Sequence, residues 1–153
     1  MNRPSFTFKL ERVRALKEQT EERAKEELAA SLALRLKGEA MLMSASRNVE
    51  DARRVQRQAA DTGVSGQDLL AAQAYLERTE RERESASLTL FRRDAEVEAR
   101  RAMLEAAARE REVLDRLKER KREEHRREAE RLEGAALDEM AINIHRRARG
   151  AAA

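Results

Sequence analysis

His125 and His145 are the two histidines of this 153-residue chain, and imidazole is the side chain best suited to proton transfer or metal ligation near neutral pH. Neither use fits their setting. They stand twenty residues apart, neither belongs to an HExxH pattern, and the chain has no cysteine to complete a ligand set. The sequence predicts two solvated histidines and no metal site. Carboxylates abound, but a general acid needs a dry pocket to move its pKa, and thin paired helices offer none. Gly38, Gly63, Gly66, Gly134 and Gly150 do not open a phosphate-binding GxxxxGK[ST] loop. The chain is therefore expected to be no enzyme, with no catalytic residue, no cofactor and no small-molecule substrate.

The densest charge lies in LKERKREEHRREAER, residues 117–131, where seven of fifteen side chains are basic and five acidic. Interleaved acids and the absence of an aromatic for base stacking argue against a nucleic-acid partner. The 33 basic and 30 acidic residues nearly cancel to +3, so no strong positive field exists. Glu119 to Arg122, Glu123 to Arg126, Glu124 to Arg127 and Glu128 to Arg131 are acid-before-base pairs three apart, and Glu123 to Arg127 is four apart. Such pairs support a helix that has no apolar stripe of its own.

A helix this polar must be held by longer elements. Charged residues make up 41% of the chain, aromatics 3%, and there is one proline, a composition typical of long helices or coiled coil. Leu42, Ala45, Val49, Ala52, Gln56 and Ala59 fall at heptad a and d positions, with Val13, Leu16, Thr20, Ala24 and Leu28 read as the stripe upstream. The spacing predicts a first helix over about 7–60. The stretch DTGVSGQD (61–68) carries the one good turn signal, with Gly63 as a left-handed helix stop and Ser65 three before Asp68 as a capping box. A turn over 61–67 and a second helix over about 68–147 follow, with a disordered tail at 148–153. The second helix has Leu69, Leu76, Arg83, Leu90, Val97 and Leu104 at a, and Ala72, Thr79, Ala86, Arg93, Arg100, Ala107 and Leu114 at d.

One short connection makes the helices antiparallel, giving an all-α, single-domain, two-helix coiled coil with helix 2 overhanging helix 1. Residues whose numbers sum to roughly 129 then face each other: Ala52 and Leu76, Leu42 and the region of Ala86, Val13 and the region of Leu117. Beyond about residue 120 helix 2 runs on alone, which would account for polar heptad positions at Arg111, Lys118, Lys121, His125 and Glu128. The segment RLEGAALDEMAINIHRR (131–147) turns apolar again through Leu132, Ala135, Ala136, Leu137, Met140, Ala141, Ile142 and Ile144. Phe6, Phe8 and Leu10 lie near its base. A frayed tail, self-association and insertion into another protein are its three readings, and Tyr75 is either a seam-edge residue or a partner contact.

Three segments resemble the FliJ family, the small coiled-coil component of the flagellar type III export apparatus. FTFKLERVRALKEQTEERAKEELA (6–29) looks like the family's F-x-F-x-L-E-x-V opening. DLLAAQAYLERTERERE (68–84) is similar to its Tyr-Leu segment after the turn, and REVLDRLKERKREEHRREAERLEGAALDEMA (111–141) to its closing pattern. The resemblance implies a non-enzymatic stalk, similar to the rotor-stalk subunit of rotary ATPases, whose two-terminus end enters the hexameric flagellar export ATPase and promotes ring assembly and ATP hydrolysis. On that footing Lys118, Arg120, Lys121, Arg122, Arg126 and Arg127 would meet acidic groups of the ring, and Leu132, Leu137 and Met140 an apolar collar. It also implies contact with the cytoplasmic linker of the export-gate membrane protein through Met41, Ala45, Tyr75, Thr79 and Ala86, and with export chaperones. Asn48 and Ala52, at two further aligned positions, depart from the family. The expected location is cytoplasmic and peripheral at the inner-membrane export apparatus. The equivalent stalk of a virulence injectisome and a self-associating structural coiled coil are the alternatives.

Overall fold

The computed structural model describes residues 5–150 and is all-α, with two helices that pack against each other: α1 (Glu11–Asp61) and α2 (Gly66–Gly150). α1 ends where the turn chemistry places it. Gly63 takes φ of 64°, and the Thr62 N–H donates to the Gln58 carbonyl at 3.0 Å. Ser65 caps α2: its Oγ accepts the Asp68 N–H at 3.2 Å and donates to the Asp68 carboxylate at 2.6 Å. That cap starts α2 at Gly66, two residues before the expected position.

The outer ends differ more from expectation. α1 starts at Glu11 rather than about residue 7, because Phe6, Phe8 and Leu10 follow a period of two that a helix cannot keep on one face. Residues 5–8 lack helical structure, and the Glu11 N–H donates to the Phe8 carbonyl at 3.1 Å in the turn that opens α1. At the other end α2 continues through residue 150, with Arg147 and Arg149 in its last turn where cations complement the helix dipole. Of the tail expected at 148–153, residues 148–150 are therefore helical, and 151–153 lie outside the described residues.

Two compact units divide the chain: Thr20–Ala107, and the residues up to Gln19 together with those from Ala108 onward. In the first, the seam of α1 alternates steps of three and four without a slip. Glu21, Ala24, Leu28, Ser31, Arg35, Gly38, Leu42, Ala45, Val49, Ala52, Gln56 and Ala59 are each buried or half-buried. On α2 the expected a and d residues Ala72, Leu76, Thr79, Ala86, Leu90, Arg93, Val97, Arg100, Leu104 and Ala107 face them, whereas Arg83 and Leu69 are exposed. Small side chains dominate, so the core is a narrow strip centred on Val49, Ala52 and Leu76. The buried hydroxyls of Ser31 and Thr79 donate to the carbonyls of Leu28 and Leu76, each at 2.9 Å. Among the described residues no buried side-chain polar atom lacks a partner. Arg35 with Asp94 at 2.5 Å, Arg100 with Glu27 at 2.6 Å and Arg53 with Glu80 at 3.0 Å tie the flanks.

Gly38 sits on this seam in mid-helix. A Cβ built there would meet Leu90 Cδ1 at 3.5 Å, ordinary van der Waals contact, so nothing in the packing demands glycine. Gly38→Ala is expected to stabilise the protein by about 1 kcal/mol, the helix-propensity difference. A thermal unfolding midpoint at or below the wild type would contradict this.

Upstream, the expected stripe of Val13, Leu16 and Thr20 is overturned. Val13 and Leu16 are 41% and 59% exposed, and Thr20 is exposed as well. The heptad lands instead on Arg14 and Lys17 in one unit and on the buried Glu21 in the other. Two successive steps of four, Thr20 to Ala24 to Leu28, break the alternation that the seam keeps, so the apolar residues upstream rotate off it.

Candidate functional site

In the unit that contains both outer ends, charge pairs join α1 to α2 beside the half-buried Leu114 and Leu117. Arg14 Nε donates to Asp115 Oδ1 at 2.6 Å, Arg111 pairs with the other oxygen of Asp115, Lys17 Nζ reaches Glu110 at 2.7 Å, and Lys118 Nζ reaches Glu11 at 2.8 Å. Arg111 and Lys118 are thus polar because the facing stretch of α1 is polar too. Their expected explanation, loss of the partner helix, does not apply. Pairing ends only past Lys118, where α1 begins, and α2 runs on from there without α1 beside it.

These contacts set an acid sensitivity. The hydrogen bond from Arg14 holds the Asp115 carboxyl below its ordinary value of 3.8, and that from Lys118 holds Glu11 below 4.5, each against some opposing desolvation. A carboxylate whose folded pKa is lowered contributes stability that is complete above its ordinary value and lost as pH falls through the lowered one. The thermal midpoint is therefore expected to fall as pH drops from about 5 towards about 3, and the fall should be smaller in Arg14→Gln. An equal fall in both proteins would contradict the assignment.

On the overhanging part, three of the five predicted local pairs form, Glu119 and Arg122 do not pair, and Glu124 takes a different partner. Glu123 accepts both Arg126 and Arg127 at 3.0 Å, Glu128 accepts Arg131 at 2.6 Å, and Glu124 takes Lys121 at 2.7 Å rather than Arg127. The same contacts lower the pKa of Glu123, Glu124 and Glu128, through Arg127, Lys121 and Arg131 respectively. Among the described residues Arg120 and Arg122 carry no ion pair and are exposed, while Lys118 is committed to Glu11. Helical spacing distributes Lys118, Arg120, Lys121, Arg122, Arg126 and Arg127 around the whole circumference rather than on one face. Such a segment suits surroundings that enclose it better than a flat partner.

Beyond it the surface sorts by face. Leu132, Ala136, Met140 and Ile144 follow at intervals of four with Leu137 beside them, whereas Ile142 falls on the opposite side. Leu132, Leu137 and Met140 are 55%, 65% and 46% exposed, a stripe with no helix over it. At its base Phe6 meets His125 edge-on, with ring centroids 5.7 Å apart and planes at 60°. No group of three or more His, Cys, Asp or Glu side chains among the described residues could hold a metal ion. Nor is any helix of the described residues long and apolar enough to cross a membrane.

In the unit Thr20–Ala107, Ala45, Thr79 and Ala86 are buried in the seam, so a partner could not touch them without separating the helices. Met41 and Tyr75 are exposed, and Arg78 lies over the Tyr75 ring at 5.5 Å. The hold of Glu11 on Lys118 was readable in principle from the antiparallel register, which sets residue 11 against 118. Residues 6–150 match the family described as Flagellar FliJ protein. No curated protein and no solved structure is a significant match to the chain.

Proposed function

The chain belongs to the flagellar FliJ family, a component of the flagellar export apparatus, and on that premise we propose that it is the stalk that inserts into the hexameric export ATPase. The observation that carries this reading is the end of α2: charge around the full circumference at 118–127, then an exposed apolar stripe at 132–144 with no helix over it. A ring interior would surround the charged turns and receive the stripe in an apolar collar. Arg122 carries no ion pair to give up, Arg120 has only its charge attraction to Glu124 to exchange, Lys121, Arg126 and Arg127 would exchange an exposed local pair, and Lys118 would leave Glu11.

The mechanism is mechanical and electrostatic. A helix threaded through a ring touches several subunits together, so its binding energy favours the assembled hexamer over separate subunits by mass action. Hydrolysis rises because the closed ring completes sites between subunits, and the stalk itself performs no chemistry. Export-gate contact is proposed through Met41 and Tyr75, the exposed residues among Met41, Ala45, Tyr75, Thr79 and Ala86, and chaperone binding is part of the same reading. Purified protein is expected to raise the ATPase rate of its cognate enzyme, and Arg120→Glu/Arg122→Glu to weaken that stimulation at least tenfold in the concentration required. No stimulation by the wild type, or equal stimulation by both proteins, would sink the proposal.

A further inference from the structure

The α2 stretch assigned above to the ring is partly covered by the chain's own N-terminal segment. Ser5–Leu10 crosses α2 over Leu117, Lys121 and His125, leaving a cleft of about 700 Å³ walled mainly by Phe6, Phe8, Leu10 and Leu117. Two contacts fasten the cover: the Phe6 ring against His125, and the Glu11 carboxylate on the Lys118 ammonium at 2.8 Å. A carboxylate on Lys118 is the kind of group an acidic partner would present to the same ammonium. The cover itself is light, since Ser5, Thr7, Lys9 and Leu10 are exposed and residues 5–8 lack helical structure.

From this we infer that residues 5–11 form a displaceable strap that competes with an acidic protein partner for α2 residues 117–125, and so sets how readily the stalk is taken up. The inference rests on the stalk reading. Binding would exchange Glu11 for a carboxylate of the partner and make Phe6 and Phe8 swing clear of the site. Exposed ion pairs exchange at little net cost, so the strap would tune affinity rather than block it.

The test uses the full chain in two arms. In the first, the imidazole proton resonances of His125 and His145 are followed by NMR in wild type and Phe6→Leu. The His125 signal is expected to move when the aromatic ring is lost and the His145 signal to stay; an unmoved His125 signal would show that the strap is not docked and overturn the inference. In the second, affinity for the cognate export ATPase is compared between wild type and Phe6→Ser/Phe8→Ser/Glu11→Gln, with an expected three- to tenfold tightening in the variant. Equal or weaker binding by the variant would overturn the strap while leaving the stalk reading intact. Binding by neither protein, with the His125 shift observed, would overturn the stalk reading and the competition with it.

Discussion

Val49→Asp is expected to lower the thermal unfolding midpoint by roughly 6–12 °C, the shift that a loss of about 3 kcal/mol or more produces in a chain of this size. Val49 is 1% exposed, and it is the largest side chain so completely buried. Around it the seam offers Ala52 and Leu76, whose side chains can neither accept nor donate a hydrogen bond. A carboxylate there would either stay charged without a partner or take up a proton, and both routes cost stability. The effect is large because the core is a strip rather than a volume. Val49→Ala, which removes only methyl groups, is expected to cost about 1–2 kcal/mol. Val55→Asp, on an exposed position of the same helix, should change the midpoint little. Comparable losses at positions 49 and 55 would contradict the seam described above.

The second large effect concerns binding without stability. Leu132→Asp/Leu137→Asp/Met140→Asp replaces three exposed side chains of one helical stripe, and exposed substitutions seldom disturb a fold. Helix content and unfolding midpoint should stay close to the wild type. Affinity for the export ATPase is expected to fall by more than about 100-fold, because each Leu or Met buried in an interface contributes roughly 1.5–3 kcal/mol and each tenfold in affinity is about 1.4 kcal/mol. Unchanged affinity would move the binding surface away from the tip. Lost helix content would mean instead that the stripe is covered within the protein.

The all-α architecture, the turn and most of the α2 register were legible because each rests on a short-range signal. Gly63 and Ser65 with Asp68 mark a stop and a start, and the a and d residues from Ala72 to Ala107 keep a strict period. Arg83 and Leu69 depart from it, since residue type alone does not say how closely the facing side chains approach. The upstream half of α1 was legible in type but not in phase. Val13 and Leu16 are apolar and regularly spaced, yet both are exposed, and the half-buried positions of that stretch are Arg14 and Lys17, which reach Asp115 and Glu110. The partner residues implied by the family resemblance differ in burial. Met41 and Tyr75 are exposed, whereas Ala45, Thr79 and Ala86 serve the seam, a difference that only the packed pair of helices reveals. The charged run was readable as a helix from its acid-before-base pairs. The ties of Lys118 to Glu11 and of Arg14 to Asp115 join residues far apart in the chain and follow only once the register is fixed.

Site-specific photo-crosslinking tests the stalk proposal most directly. A photoreactive residue would replace Leu137 in the apolar stripe or, as control, Leu70 beside the turn, both highly exposed. With the cognate export ATPase, position 137 is predicted to yield adducts that map to the interior of the ring, and position 70 none. Adducts from position 70 with none from position 137 would contradict it.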